Sequence, residues 1–293
     1  MTLTQTNGLI VPEVWADAIQ AKFPGRLVLA QYGFMDNTLD GQPGDTVNFT
    51  EWDKIDDAAD VNEDDSLVPE KMTQSDDSVA IKEAGKAVEI TDKSILTAVG
   101  NPITEAQRQV TLSVSRKIDK DIRDAIHTAI GDTHDNYVDT TDGISTSVIV
   151  DGIERFGDDF EPQNYVLVIH SSQRADLYND DQFIDASKYG SDQVIVTGEI
   201  GRLYGMPVVV SDRGASKEED DSFKSLIVRL GSTPSQDRGE YGPAYGTVYK
   251  RQPIVETDRD ILARTNLITT NVHYAVKVLD ESGLVVLHTN ATE

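Results

Sequence analysis

The most regular hydrophobic pattern in the chain runs from Pro102 to Ile130. Apolar residues recur there every three or four positions, which is the spacing of one face of an α-helix: Ile103, Ala106, Val110, Val114, Ile118, Ile122, Ala125 and Ala129. Asn101 is a candidate N-cap, Pro102 suits the first helical position, and Gly131 follows the last turn. The pattern predicts one continuous helix, about 40 Å long, with its apolar face against a core.

Alternation of apolar and polar residues predicts strands ahead of this helix, at Thr46–Trp52, Ser78–Lys82 and Ala87–Thr91. Between positions 51 and 77 the chain carries eleven acidic residues against two lysines and has few apolar anchors. Two strands around so long a polar excursion predict an extended hairpin. A tip of this kind is not buried in its own subunit, which indicates a partner. The segment 1–40 is predicted to form an arm with one helix, ended by Pro24-Gly25.

Helix and strand patterns alternate after a polar loop at Asp132 to Gly143, and strand patterns alone follow Thr247. The predicted elements are helices near Ser145–Phe156 and Ser171–Tyr178, and strands at Tyr165–His170, Met206–Ser211, Ser225–Leu230, Thr247–Arg251, Ile254–Ile261, Thr270–Leu279 and Gly283–His288. The last two strands are predicted to form a hairpin through the turn at Asp280–Gly283.

Charge is the strongest feature of the composition. The chain has 51 acidic and 26 basic residues, a net charge of −25, and 35 of the acids are aspartates. Such a charge repels nucleic acid and anionic membranes. Two interpretations stay open: a merely acidic surface, or adaptation to molar salt, in which the Debye length of about 3 Å removes the self-repulsion. We favour the second.

Other compositional features exclude several classes of protein. No apolar run is long enough for a transmembrane helix, and residues 1–10 lack the pattern of a signal peptide. The absence of cysteine excludes disulfides and thiolate metal sites.

No pattern typical of a catalytic, cofactor-binding or metal site is present, so we predict none of the three. The five histidines are scattered, and a strand-end histidine before a helix cap explains His170-Ser171 as well as a nucleophile pair does. The glycines at 198, 201 and 205 precede a strand, so they are interpreted as loop and turn residues. The aspartates of 132–143 fail the calcium-loop spacing, which leaves only a weak cation site to consider. Asn48 and Asn290 are in glycosylation sequons.

Four segments, in this order, resemble the major capsid proteins of tailed viruses: Gly41–Val47, Lys82–Asp92, Gly198–Ser211 and Arg251–Asp260. The resemblance extends over about Ile10 to His288. It implies an α+β fold with an N-terminal arm at 1–40, an extended β-hairpin loop at 41–92 and a peripheral domain with a long spine helix at 93–143. An axial α/β domain at 144–246 and a peripheral β-region at 247–293 complete it.

The same resemblance implies the function and the partners. Subunits of this family form pentamers and hexamers that close into an icosahedral shell around double-stranded DNA, which they enclose without sequence-specific binding. Portal and scaffolding proteins are the implied partners, no membrane is involved, and the implied location is the virion, after assembly in the host cytoplasm. Two alternatives remain: the shell of a protein nanocompartment with the same fold, and a halophilic α/β enzyme.

Overall fold

The computed structural model describes residues 27–37, 39, 43–52, 69–157, 160–180, 201–218, 221–231 and 242–291. The predicted arm helix and most of the predicted hairpin tip lie outside these residues. The long helix, α2 (Pro102–Ala129), is preceded by a short one, α1 (Asp92–Thr97). The Asn101 side chain accepts hydrogen bonds from the Ile103 and Thr104 amides, so it is the predicted N-cap. Val110, Val114, Ile118 and Ile122 are buried. The predicted helix is confirmed to within one residue.

A four-stranded sheet packs against α2. Its strand order is β1 (Phe34–Asp36), β11 (Tyr245–Asp260), β12 (Thr265–Val278) and β4 (Lys82–Thr91), with β1 parallel to β11 and the other pairs antiparallel. The strands predicted at Thr247–Arg251 and Ile254–Ile261 are one strand with register shifts around Arg251. Pro253 lies in this interruption and has no amide hydrogen for the ladder, which explains the break in the pattern.

The second sheet contains seven strands within the described residues. The order is β5 (Tyr137–Asp139), β13 (Leu284–Thr289), β10 (Phe223–Arg229), β6 (Tyr165–Ile169), β8 (Met206–Val210) and β7 (Arg202–Leu203), and β9 (Ser216–Lys217) pairs with β10. Helices α3 (Thr146–Glu154) and α4 (Arg174–Asn179) complete this region, and a 3-10 turn at Ser171–Gln173 leads into α4. The helices and central strands predicted from the sequence are confirmed here.

Both faces of this second sheet are covered. Leu226 and Val228 of β10 point into the core that α2 shares with both sheets, whereas Ile227 points into a second core beside α3. The residues of β13 divide between the two cores in the same way. A strand buried on both faces has no polar alternation, which explains the unbroken apolar runs of these strands.

The predicted hairpin is present at its base. β2 (Thr46–Trp52) and β3 (Gln74–Ala80) pair antiparallel from Thr46↔Ala80 to Trp52↔Gln74. Val47, with Phe49 and Val79, packs on Val248 and Ala275 of the four-stranded sheet. The base is therefore fixed to the subunit, while residues 53–68 lie outside the described residues.

Two predictions about the C-terminal strands and the polar loop were wrong. β12 and β13 do not form a hairpin, because β12 pairs with β11 and β4 whereas β13 pairs with β10 and β5. The chain crosses between the sheets at Glu281–Gly283, a 3-10 turn capped by Asp280. The segment 132–143, predicted to be loop throughout, contains β5. Three residues parallel to a distant strand leave no local pattern in the sequence.

Buried polar contacts fix the first described residues to α2. The Asp119 carboxylate is fully buried and accepts hydrogen bonds from the backbone N–H groups of Val28 and Leu29 at 3.0–3.1 Å. The Tyr245 hydroxyl donates to the Leu29 carbonyl at 2.5 Å. Burial raises the pKa of Asp119, although these amides oppose the shift. The chain that leads into the fold is thus held at the middle of the long helix.

Candidate assembly surface

The histidines make separate contacts in the structure. His170 Nδ1 accepts the Ser172 backbone N–H at 3.2 Å, and its ring packs on Phe223, so it caps the turn before α4. The Asp212 carboxylate accepts the Ser171 backbone N–H at 2.9 Å and lies 3.5 Å from His170 Nε2, so it helps to hold the same turn. His134, His273 and His288 each contact a different carboxylate, from Glu281, Glu83 and Asp139.

The other candidates for chemistry also have structural explanations. Gly201 and Gly205 lie on either side of β7, and Gly205, with φ of 85°, is in the turn to β8. No group of three or more potential metal-ligating side chains occurs in the described part of the chain. Asp139, from the aspartate-rich loop, contacts His288 at 2.6 Å. No helix among the described residues is long and apolar enough to cross a membrane.

Exposed apolar side chains are concentrated at one end of the four-stranded sheet. Leu96 and Val99, which lie between β4 and α2, are 85% and 105% exposed, and Ile261 and Leu262, between β11 and β12, are 80% and 96% exposed. We call these four residues the apolar end surface. Single exposed apolar residues are common, but four large ones at one end of a sheet indicate a contact with another molecule.

Hydrogen bonds hold both parts of the apolar end surface in place. The Asp260 carboxylate accepts from the backbone N–H groups of Leu262 and Ala263 at 2.8 and 2.9 Å, which fixes the turn. The Asp92 amide donates to the Arg264 carbonyl at 2.9 Å, and the Arg259 guanidinium contacts the Asp92 carboxylate at 3.0 Å. The turn and α1 are therefore joined, so the surface is presented as one ordered unit.

An ionic cluster around Asp121 joins α2 to the same sheet. Its carboxylate, 7% exposed, contacts the ammonium groups of Lys117 at 2.6 Å and Lys82 at 2.8 Å. It also accepts the Tyr274 hydroxyl at 2.5 Å. Burial alone raises the pKa of Asp121, but these three donors outweigh burial and lower it. Helix α2, β4 and β12 are thereby tied to one carboxylate.

The apolar end surface was not predicted from the sequence, which placed Ile261 in a strand. The available signal was an Ile-Leu pair directly after Asp258-Arg259-Asp260 and before Arg264, in a position where a turn is usually polar. Leu96 and Val99 gave a similar signal between a strand and the strong N-cap at Asn101. That these four side chains are exposed could be seen only in the structure.

Comparisons with known proteins agree on one family. A family model described as phage capsid protein matches residues 75–287. The major capsid protein of Staphylococcus phage phiMR11 is 28% identical over 283 residues, which cover 96% of this chain and 93% of the relative.

Solved capsids share the fold. The capsid structure of cyanophage P-SCSP1u has a TM-score of 0.67 at 11% identity, covering 91% of this chain and 89% of the other. The capsid of Ralstonia phage GP4 has a TM-score of 0.65 at 11% identity, covering 91% and 92%. Because the family model covers well over half of its residues, the chain belongs to the phage capsid protein family, a family of structural proteins and not of enzymes.

Proposed function

We propose that this capsid protein forms pentamers and hexamers that close into an icosahedral shell around double-stranded viral DNA. The observation that carries the proposal is a capsid fold with an exposed apolar end surface whose turn is held by hydrogen bonds, and which has no use in an isolated subunit. Portal and scaffolding proteins are the further partners we propose. Assembly is proposed to take place in the host cytoplasm.

The apolar end surface is proposed to lie between copies of the chain in the shell. Burying one leucine or isoleucine side chain stabilises a contact by about 1.5–3 kcal/mol. Ile261 and Leu262 together then contribute about 3–6 kcal/mol, or roughly 10²–10⁴ in the association constant of each contact. Since every subunit of a shell makes the same contacts, losing this contact free energy at each of them prevents the shell from closing.

The predicted domain layout remains part of the proposal. By its bounds, the proposed peripheral domain (93–143 and 247–293) contains α2, β5, β12, β13 and most of β11, and the proposed axial domain (144–246) contains α3, α4, β6, β8 and β10. β1 belongs to the proposed arm and β4 to the proposed hairpin loop. The hairpin extended by β2 and β3 is proposed to reach a neighbouring subunit, because a two-stranded hairpin is marginally stable alone. Its base already packs on Val248 and Ala275 of its own subunit.

The proposed environment of the shell is concentrated salt. Each subunit carries a net charge of −25. Copies brought together in dilute buffer therefore repel one another across a Debye length of about 30 Å at 0.01 M salt. Molar salt removes this repulsion, and hydrated aspartates keep the surface soluble.

Replacement of both turn residues tests the proposed function. The variant Ile261→Ser/Leu262→Ser should keep the urea stability of the unassembled subunit within about 0.5 kcal/mol, because both side chains are exposed. Its shells should be absent from size-exclusion chromatography and light scattering. The matched variant Ile261→Leu/Leu262→Ile keeps the apolar surface and should assemble. Shells of normal yield from the serine variant would refute the proposed contact.

The nanocompartment remains the rival within the same fold. Particles produced with the full set of viral proteins should contain DNA protected from nuclease. A protein cargo in place of DNA would favour the nanocompartment.

A further inference from the structure

The charge of the long helix differs from that of the rest of the chain. Helix α2 carries five Lys/Arg and four Asp/Glu in 28 residues, a net charge of +1. Of the 26 basic and 51 acidic residues in the whole chain, 21 and 47 therefore lie outside the helix, where the net charge is −26. Helix α2 is therefore nearly neutral, whereas the rest of the chain is strongly acidic.

Burial makes the difference larger on the exposed side of the helix. Asp119 and Asp121 point inward, where backbone amides bind the first and Lys117, Lys82 and Tyr274 bind the second. The remaining acids of the helix, Glu105 and Asp124, pair with Arg108 and Arg123, which leaves Arg116 and Lys120 as unbalanced charges on the exposed side. The solvent side of α2 is therefore positive, although the subunit as a whole is strongly negative.

Three of these basic residues lie in one line. Arg116, Lys120 and Arg123 are spaced i, i+4, i+7, so they occupy the same side of the helix over about 10 Å. We call them the basic stripe. Arg123 pairs with Asp124 at 2.9 Å. Arg116 and Lys120 are exposed and have no ion-pair partner among the residues that the structure describes.

We infer that the basic stripe faces the interior of the shell and contacts phosphate groups of the enclosed DNA. This inference rests on the proposed function, in which the shell holds double-stranded DNA. Packaged DNA presents one negative charge per ~1.7 Å of helix axis. Each subunit carries a charge of −25, and DNA packed against the wall brings phosphates to contact distance, where even the ~3 Å Debye length of molar salt leaves acidic side chains repulsive. The inner wall is therefore best formed by the side of each subunit that is not acidic.

The chemistry of the stripe fits phosphate and not bases. Arginine and lysine side chains on the outer side of a helix reach phosphate oxygens without a fixed register, and such contacts position DNA but read no sequence. A helix packed along its length on a sheet has no free end to enter a groove. The contact is therefore electrostatic, sequence-independent and weakened by salt, as a wall must be if DNA is to slide past it.

Single-cysteine chemistry tests this orientation, because the chain has no cysteine of its own. Lys120→Cys places a thiol in the stripe. Glu89→Cys is the matched control: Glu89 is exposed on β4, and its neighbour Ile90 packs on Ala106 of α2, so Glu89 points to the opposite face of the sheet. Virions built from each variant are treated with nuclease, coupled to a thiol-reactive azidophenacyl photo-crosslinker and irradiated.

The expected result is covalent DNA on the Lys120→Cys subunit, at least tenfold above the Glu89→Cys subunit. Equal adducts at both positions, or none at position 120 in DNA-filled particles, would overturn the inference. A crosslink from position 120 to another copy of the chain would assign the stripe to an acidic segment of a neighbour and would overturn it too. If Lys120→Cys does not assemble, Arg116→Cys gives the same test one turn away. Particles without DNA would instead count against the proposed function.

Discussion

The Asp121 cluster gives a prediction whose size follows from its geometry. In Asp121→Asn the side chain keeps its shape and one oxygen for the buried Tyr274 hydroxyl, but it loses its charge. The Lys117 and Lys82 side chains are 52% and 45% exposed, so water replaces their lost partner. Each partly exposed pair is worth about 0.2–1 kcal/mol, so the loss of both pairs should cost the variant about 0.4–2 kcal/mol of unfolding free energy.

Asp121→Leu should cost more than Asp121→Asn. It removes the acceptor of the Tyr274 hydroxyl, and an unsatisfied buried donor costs a further ~1–3 kcal/mol. Added to the loss in Asp121→Asn, the total becomes about 1.5–5 kcal/mol. Adding Tyr274→Phe to Asp121→Leu removes the orphaned hydroxyl, so the double variant should recover about 1 kcal/mol or more.

Urea unfolding of unassembled subunits at fixed salt measures all four proteins. The pKa of Asp121 is lowered in the folded state, so its contribution is fully present above the unfolded pKa. The gap between wild type and Asp121→Asn should therefore be complete at neutral pH and disappear as the pH falls through the folded pKa. Free energies within about 0.5 kcal/mol of wild type for both single variants, or a leucine variant as stable as the asparagine one, would refute the reasoning.

Three further predictions concern packing, titration and assembly. Ile122→Ala, at a fully buried site, should cost about 2–5 kcal/mol in urea unfolding, whereas Ile261→Ala, at an exposed one, should cost under ~0.5 kcal/mol; equal losses would contradict the burial assigned to α2. Burial, with Arg123 and Lys224 nearby, lowers the pKa of His127 to about 4, so subunit stability should be full above pH 6.5 and fall toward pH 4 by at most about 3 kcal/mol. His127→Gln should abolish that slope, and an unchanged slope would exclude His127 as its source. Deleting Asp56 to Gln74 should leave a folded subunit that no longer makes stable shells by light scattering, and normal particles would count against the intersubunit role of the hairpin.

Much of the fold was predictable because its signals are local. The helical period and the Asn101-Pro102 start defined α2, and strict alternation defined β2. The acidic run between positions 51 and 77 separated the two strands that pair as a hairpin. In each case residues close together in the sequence determine the element, so the segment by itself is enough to predict it.

What the sequence did not predict depends on contacts between distant residues. The pairing of β1 with β11 joins Phe34 to Gly246, and the Asp119 carboxylate binds an amide 90 positions away in the chain. The strand β13 was predicted, but its pairing was wrong because a turn signal at Asp280–Gly283 outweighed its unbroken apolar run, which is typical of a strand covered on both faces. The apolar end surface was missed because exposure is a property of the folded subunit.

The stability of the particles in dilute salt tests the proposed high-salt environment independently of the capsid assignment. Particles dialysed from molar to millimolar salt without divalent cations should lose light scattering, and partial acidification should restore it by neutralising clustered carboxylates. Unchanged scattering after prolonged dialysis would refute the high-salt environment. The capsid assignment would still stand.

Cryo-electron microscopy of the purified, assembled protein shows whether the chain builds a shell through the apolar end surface. We expect closed particles of pentamers and hexamers in which Leu96, Val99, Ile261 and Leu262 are buried between copies of the chain. Dispersed subunits across the whole range from millimolar to molar salt, or shells in which these four side chains remain in solvent, would contradict this expectation.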